Sequence, residues 1–64
     1  MFVSLKGKVR KVTEESVLFR YREGGTLVDR WIPRDALQDP DGVSEGQENI
    51  LVSRKLCNEL GINP

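Results

Sequence analysis

Apolar and polar positions alternate with period two from Val3 to Val12. Val3, Leu5, Gly7 and Val9 share one face, and Ser4, Lys6, Lys8 and Arg10 share the other. One apolar side at that period predicts a half-buried strand. Gly7 in its middle predicts a bend or a close backbone approach, as at the corner of a small barrel. The polar stretch Thr13-Glu14-Glu15-Ser16 predicts a turn. A second strand follows over Val17 to Arg22, with Val17, Phe19 and Tyr21 on one face and Leu18, Arg20 and Arg22 on the other. Glu23-Gly24-Gly25 signals a hairpin, because glycine supplies the positive φ of tight β-turns.

Thr26 to Ile32 predicts a third strand with a mixed pattern. Val28 and Ile32 share a face with Arg30, and Leu27 and Trp31 share the other with Asp29, so the pattern leaves its register open. Pro33 ends this strand or puts it at an edge, since proline cannot donate to a ladder. Arg34-Asp35-Ala36-Leu37 predicts a single helical turn, with Leu37 returning to the core. Gln38 to Gln47 reads as loop, and Asp39-Pro40-Asp41-Gly42 has the residue placement of a type I turn. Glu48 to Val52 predicts a short fourth strand with Ile50 and Val52 on one side. Ser53 is placed to cap a helix over Arg54 to Leu60, with Leu56, Cys57 and Leu60 inward. Gly61 falls where a left-handed C-cap belongs, and Ile62 where the chain folds back on the last turn.

The expected architecture is mostly β: a small, strongly bent antiparallel sheet, or an SH3-like or OB-like barrel of four to five strands, plus one C-terminal helix. A fifth strand is available only if the long first strand is kinked at Gly7 and used in both halves. The expected core is Val9, Val17, Phe19, Ile32, Leu37, Ile50, Leu56 and Leu60.

Size sharpens this picture. The 64 residues predict one domain spanning 1–64. Its core is expected to supply only ~3–5 kcal/mol. One cysteine allows no internal disulfide, and with no histidine the chain cannot assemble the four Cys/His ligands of a typical zinc site. A homo-oligomer is one way to gain buried area. No stretch has the apolar length of a signal peptide or a membrane span, and with a free cysteine this points to the cytoplasm.

Charge is uneven along the chain. Residues 1–34 carry eight Lys/Arg against four Asp/Glu, a net +4, and residues 35–64 carry two against six, a net −4. Such asymmetry steers a partner to one side or draws two copies head to tail. A soluble surface whose charges merely segregate is the plainer alternative.

Three blocks of the sequence resemble a family of small domains from bacteria and their phages, mostly of unknown function. The first is Lys6-Gly7-Lys8-Val9, followed by Thr13-Glu14 and Ser16-Val17-Leu18. The second is Trp31-Ile32-Pro33-Arg34-Asp35-Ala36-Leu37, where that family favours Trp-Ile-Pro-Lys-Ser and then an aliphatic residue. The third is Ile50-Leu51-Val52-Ser53 running through Arg54-Lys55-Leu56-Cys57 to Gly61-Ile62. Asp35 stands where the family commonly has a small hydroxyl residue, and Cys57 where it has alanine. The resemblance implies a three-stranded meander and a short C-terminal helix. It brings no activity and no functional residue.

Most chemistry is excluded by what the chain lacks. Without histidine there is no Ser-His or Cys-His nucleophile pair. Gly24-Gly25 lacks the spacing and the Lys-Ser pair of a phosphate loop. Asp39, Asp41 and Glu45 lack the full ligand series and closing glutamate of a calcium loop. Cys57, on the inward helix face, reads as a small core residue rather than a reactive thiol.

A basic strand face remains. Lys6, Lys8 and Arg10 project from the first strand, and Arg20 and Arg22 from the second; Trp31 sits between Arg30 and Arg34. Cations interleaved with an aromatic ring suit a nucleic-acid platform, with the cations on phosphates and the ring on a base. The alternative is a solvated sheet face with Trp31 plugging the barrel end. The expectation is a small non-enzymatic binding module without cofactor or metal. Its candidate nucleic-acid-binding residues are Lys6, Lys8, Arg10, Arg20, Arg22, Trp31 and Arg34, and its ligand is single-stranded DNA or RNA. The rival is a protein–protein or self-association module that pairs through an exposed edge strand.

Overall fold

The computed structural model describes residues 1–62. Strands β1 (Phe2–Val12), β2 (Ser16–Glu23), β3 (Thr26–Pro33) and β4 (Glu48–Ser53) form one antiparallel sheet in the order β3-β2-β1-β4. A 3-10 turn over Arg34–Ala36 follows β3, and helix α1 (Arg54–Leu60) follows β4. The mostly-β class with one C-terminal helix agrees with the alternation pattern.

The long β1 is central and serves two neighbours. Its first half pairs with β4, from Phe2 opposite Ser53 to Leu5 opposite Ile50. Its second half pairs with β2, from Gly7 opposite Tyr21 to Val12 opposite Val17. The register shifts twice along β1, between Leu5 and Lys8 on the β4 side and between Val9 and Lys11 on the β2 side. Such shifts bend a strand and increase its twist. Gly7 lies within the first of them, and the backbone approach there is close. A β-carbon at Gly7 would stand 2.7 Å from the Phe19 ring and nearer still to the Arg20 carbonyl oxygen.

The sheet does not close. β3 and β4 lie at opposite edges, and among the described residues the only bridge from the segment after β3 to β4 is Leu37 to Val52. Pro33 cannot donate to a further ladder, and the chain turns into the 3-10 segment at Arg34 before it could lie along β4. The Gln38 amide adds one bond to the Leu51 carbonyl at 3.1 Å. The bent open sheet is therefore the form adopted, rather than a closed SH3-like or OB-like barrel.

The concave side holds one hydrophobic cluster. Val9, Val17, Phe19, Ile32, Leu37 and Ile50 are buried as expected, joined by Leu5, Tyr21 and Val52 from the same strand faces. The Phe19 and Tyr21 rings stack at a centroid distance of 6.3 Å. Leu56 and Leu60 are only half-buried and pack against the cluster, while Cys57 between them is the buried helix residue, 1% exposed. The seven-residue helix meets the sheet beside β4, so one position of its stripe points inward and the other two flank it.

Both helix ends are tied as predicted. The Ser53 Oγ accepts from the Leu56 amide at 3.1 Å. Gly61 is left-handed at φ 72°; its amide donates to the Asn58 carbonyl, and the Ile62 amide donates to the Cys57 carbonyl at 2.9 Å. This pair of bonds is a Schellman motif, and Ile62 is buried against the core. No helix among the described residues is long and apolar enough to cross a membrane.

Candidate functional site

The convex face of the sheet collects the basic strand residues in cross-strand rows. A two-residue turn at Gly24-Gly25, with φ of 59° and 87°, fixes the β2–β3 register. That register puts Leu18 opposite Trp31, Arg20 opposite Asp29 and Arg22 opposite Leu27. On the other side of β2, Lys11 stands opposite Leu18 and Lys8 opposite Arg20. One row is thus Lys11–Leu18–Trp31, and the next is Lys8–Arg20–Asp29. Val17, Phe19 and Tyr21 alternate with these residues and are buried, so both rows lie on the side away from the core.

Trp31 is 50% exposed on this convex face. It neither plugs a barrel end nor enters the core. Leu27, on the same face of β3, is also exposed. Arg30, by contrast, is on the core side with Val28 and Ile32, and its Nε donates to the Tyr21 hydroxyl at 3.0 Å.

The cations differ in what already engages them. Arg20 is paired with Asp29 in a two-pronged contact: its Nε donates to Oδ1 at 2.6 Å and its second guanidinium nitrogen to Oδ2 at 3.0 Å. This hydrogen bond is the main reason that the Asp29 carboxyl is held below the usual carboxylate range; slight desolvation opposes it, and the charges of Arg20 and Arg10 reinforce it. Arg22 donates to the Gly25 carbonyl at 3.2 Å. Lys6, Lys8, Arg10 and Lys11 are exposed and, among the described residues, form no ion pair. Lys6, Lys8, Arg20 and Arg22 surround a shallow depression of about 490 Å³, closed by Leu27 and Glu48.

Two candidate residues sit differently from the sequence expectation. Arg10 is the unpaired residue of the bulge between Val9 and Lys11, so Lys11 takes the position opposite Leu18 that alternation assigns to Arg10. Arg34 is engaged elsewhere: it donates to the Thr13 carbonyl at 3.0 Å and the Pro40 carbonyl at 2.6 Å, with Asp41 at 3.7 Å. It ties the β1–β2 turn to the loop after the 3-10 segment. The alternation pattern puts Asp29 on the face of Trp31 but does not give its pairing with Arg20, and it misses Lys11 as a member of this face. The signal for Lys11 is the pair of polar residues between the inward Val9 and Val12, which breaks period two.

Among the described residues no three His, Cys, Asp or Glu side chains gather where they could hold a metal ion. No protein-family model, curated protein or solved structure matches this chain.

Proposed function

We propose that this protein is a small non-enzymatic binding module of the cytoplasm that takes single-stranded nucleic acid on its convex sheet face. The observation that carries the reading is the shared face of Lys8, Lys11 and the half-exposed Trp31, with Lys6 beside them. Lysines at strand spacing suit successive phosphates, and an exposed indole suits a base. The resemblance to small bacterial and phage domains is compatible with this role and assigns none of its own. The test is a titration with oligo(dT) and oligo(U) at two salt concentrations, followed by tryptophan fluorescence. Binding that weakens steeply with salt and quenches Trp31 is the expected result. No binding at low salt overturns it.

The second reading is a protein–protein or self-association module, favoured by the unpaired outer edge of β3 and the exposed Leu27 and Trp31 upon it. Arg30 weighs against strand addition at that edge, because a charged residue on the inner side of an edge strand discourages a further strand. A mass that rises with protein concentration, without nucleic-acid binding, would favour this second reading.

A further inference from the structure

Resting on the nucleic-acid reading, we propose that the Arg20–Asp29 ion pair divides the convex face into two lanes. Phosphates follow Lys6, Lys8 and Lys11 on β1, and a base crosses β2 to stack on Trp31 of β3. Asp29 sets the division. It stands two residues from Trp31 on the same strand face, so β3 carries an anion beside its aromatic ring. A phosphate over β3 would meet that carboxylate. Arg20, which stands between Lys8 and Asp29 in its row, already spends two donors on Asp29. The pair is close to neutral from outside, and the surplus positive charge is left on β1, where Glu48 of β4 stands opposite Lys8, and on Arg22 at the hairpin end of β2, whose guanidinium is turned to the Gly25 carbonyl.

Geometry then limits the ligand. β1 and β3 are separated by β2, and at ~4.8 Å per strand step the two lanes lie ~10 Å apart. A nucleotide with its phosphate over Lys11 reaches Trp31 by laying its base across Leu18, which is the apolar residue between them in that row. Only an unpaired base is free to do this; in a duplex its face is stacked and its edge is paired. Three lysines match three phosphates, a footprint of about four nucleotides, at the short end for single-strand sheets. Asp29 thereby acts as an attenuator: it keeps Arg20 from becoming a fourth phosphate contact.

The experiment is fluorescence anisotropy with a labelled twelve-nucleotide oligo(dT), alone and annealed to oligo(dA), over a series of salt concentrations. The proteins are the wild type, Lys8→Ala, Asp29→Asn and Trp31→Ala, each checked for fold by circular dichroism. The wild type should prefer the single strand, with a log–log salt slope near −2, about 0.7 for each of three phosphates. Lys8→Ala should make the slope shallower by about 0.7, and Asp29→Asn, which releases Arg20, should steepen it by about 0.7 and tighten binding. Trp31→Ala should weaken binding about 5- to 150-fold with the slope unchanged, because stacking releases no counterions. If the wild type binds but Asp29→Asn leaves the slope as it was, or the duplex binds as well as the single strand, the lanes are overturned and nucleic-acid binding survives. If the wild type binds neither form at low salt, both proposals fall.

Discussion

The Phe19 ring fills the space that a side chain on Gly7 would need. β1 passes so close to β2 at this point that a β-carbon would stand 2.7 Å from the ring and would also meet the Arg20 backbone carbonyl. The ring could rotate slightly, but the carbonyl belongs to a paired strand and has little freedom. Gly7→Ala should therefore cost about 1–3 kcal/mol, as overpacking does in close-packed interiors. In a domain this small that is a large share of the total stability. Thermal unfolding followed by circular dichroism checks it, with a drop of ~4–8 °C for each kcal/mol. An unchanged melting temperature would mean that β1 and β2 do not approach this closely.

The Arg20–Asp29 pair sets a pH dependence whose sign follows from its chemistry. The Arg20 hydrogen bond, helped by the Arg20 and Arg10 charges against slight desolvation, holds the Asp29 carboxyl below its unfolded value of about 4. A depressed carboxylate contributes stability that is present above the unfolded value and is lost as pH falls through the folded one. Asp29→Asn should remove that part of the acid sensitivity. Melting temperatures of both proteins from neutral pH down into the acid range should diverge at neutral pH and converge at low pH. Both side chains are more than a third exposed, so screening keeps the effect small, and added salt should shrink it further. Parallel curves would contradict it.

Cys57 gives a second titration with the opposite sense. Burial pushes its thiol up, against the pull of the Arg54 charge. Thiolate is the reactive form, so an aromatic disulfide reagent should label the native protein slowly at neutral pH and the denatured protein at once. A raised thiol contributes stability that is complete below the unfolded value of about 8.5 and is lost as pH rises through the folded one. Labelling should accelerate in step with loss of structure in mild denaturant. Fast labelling of the fully folded protein would place Cys57 at the surface.

Much of this fold was legible because strand alternation has only two faces to choose between. Val17, Phe19 and Tyr21 point inward for that reason, and Ser53 and Gly61 bracket α1 because each meets a local need of the backbone. β3 resisted, since Arg30 shares the inner face with Val28 and Ile32 and hides the alternation. The turn resolves it: a two-residue loop at Gly24-Gly25 leaves one in-phase register, and Arg20 opposite Asp29 follows from it. The bulge at Arg10 was harder to read. Counting every second residue from Val9 puts Lys11 inward, and only the need to bury Val12 beside Val17 shifts the phase. Barrel closure was not legible, because it depends on where the chain goes after Pro33 rather than on any strand's own pattern.

The end of α1 depends on the backbone conformation of Gly61. Gly61 is left-handed at φ 72°, and it allows two backbone donors, its own and that of Ile62, to reach the carbonyls of Asn58 and Cys57. Nothing lies within 4 Å of the place where its β-carbon would be, so a substitution meets no steric wall from the rest of the fold. Any cost therefore comes from the backbone conformation, about 1–2 kcal/mol for an ordinary residue. Gly61→Val should lose at least as much as Gly61→Ala, because branching at the β-carbon makes this region less accessible, and Gly61→Asn should lose least, because asparagine visits it readily. The order of melting temperatures should be wild type, asparagine, alanine, valine. Equal losses in all three would point to a contact at this position rather than to φ. No loss in any of them would mean that the chain leaves α1 by another route and that Ile62 reaches the core without the Schellman bonds.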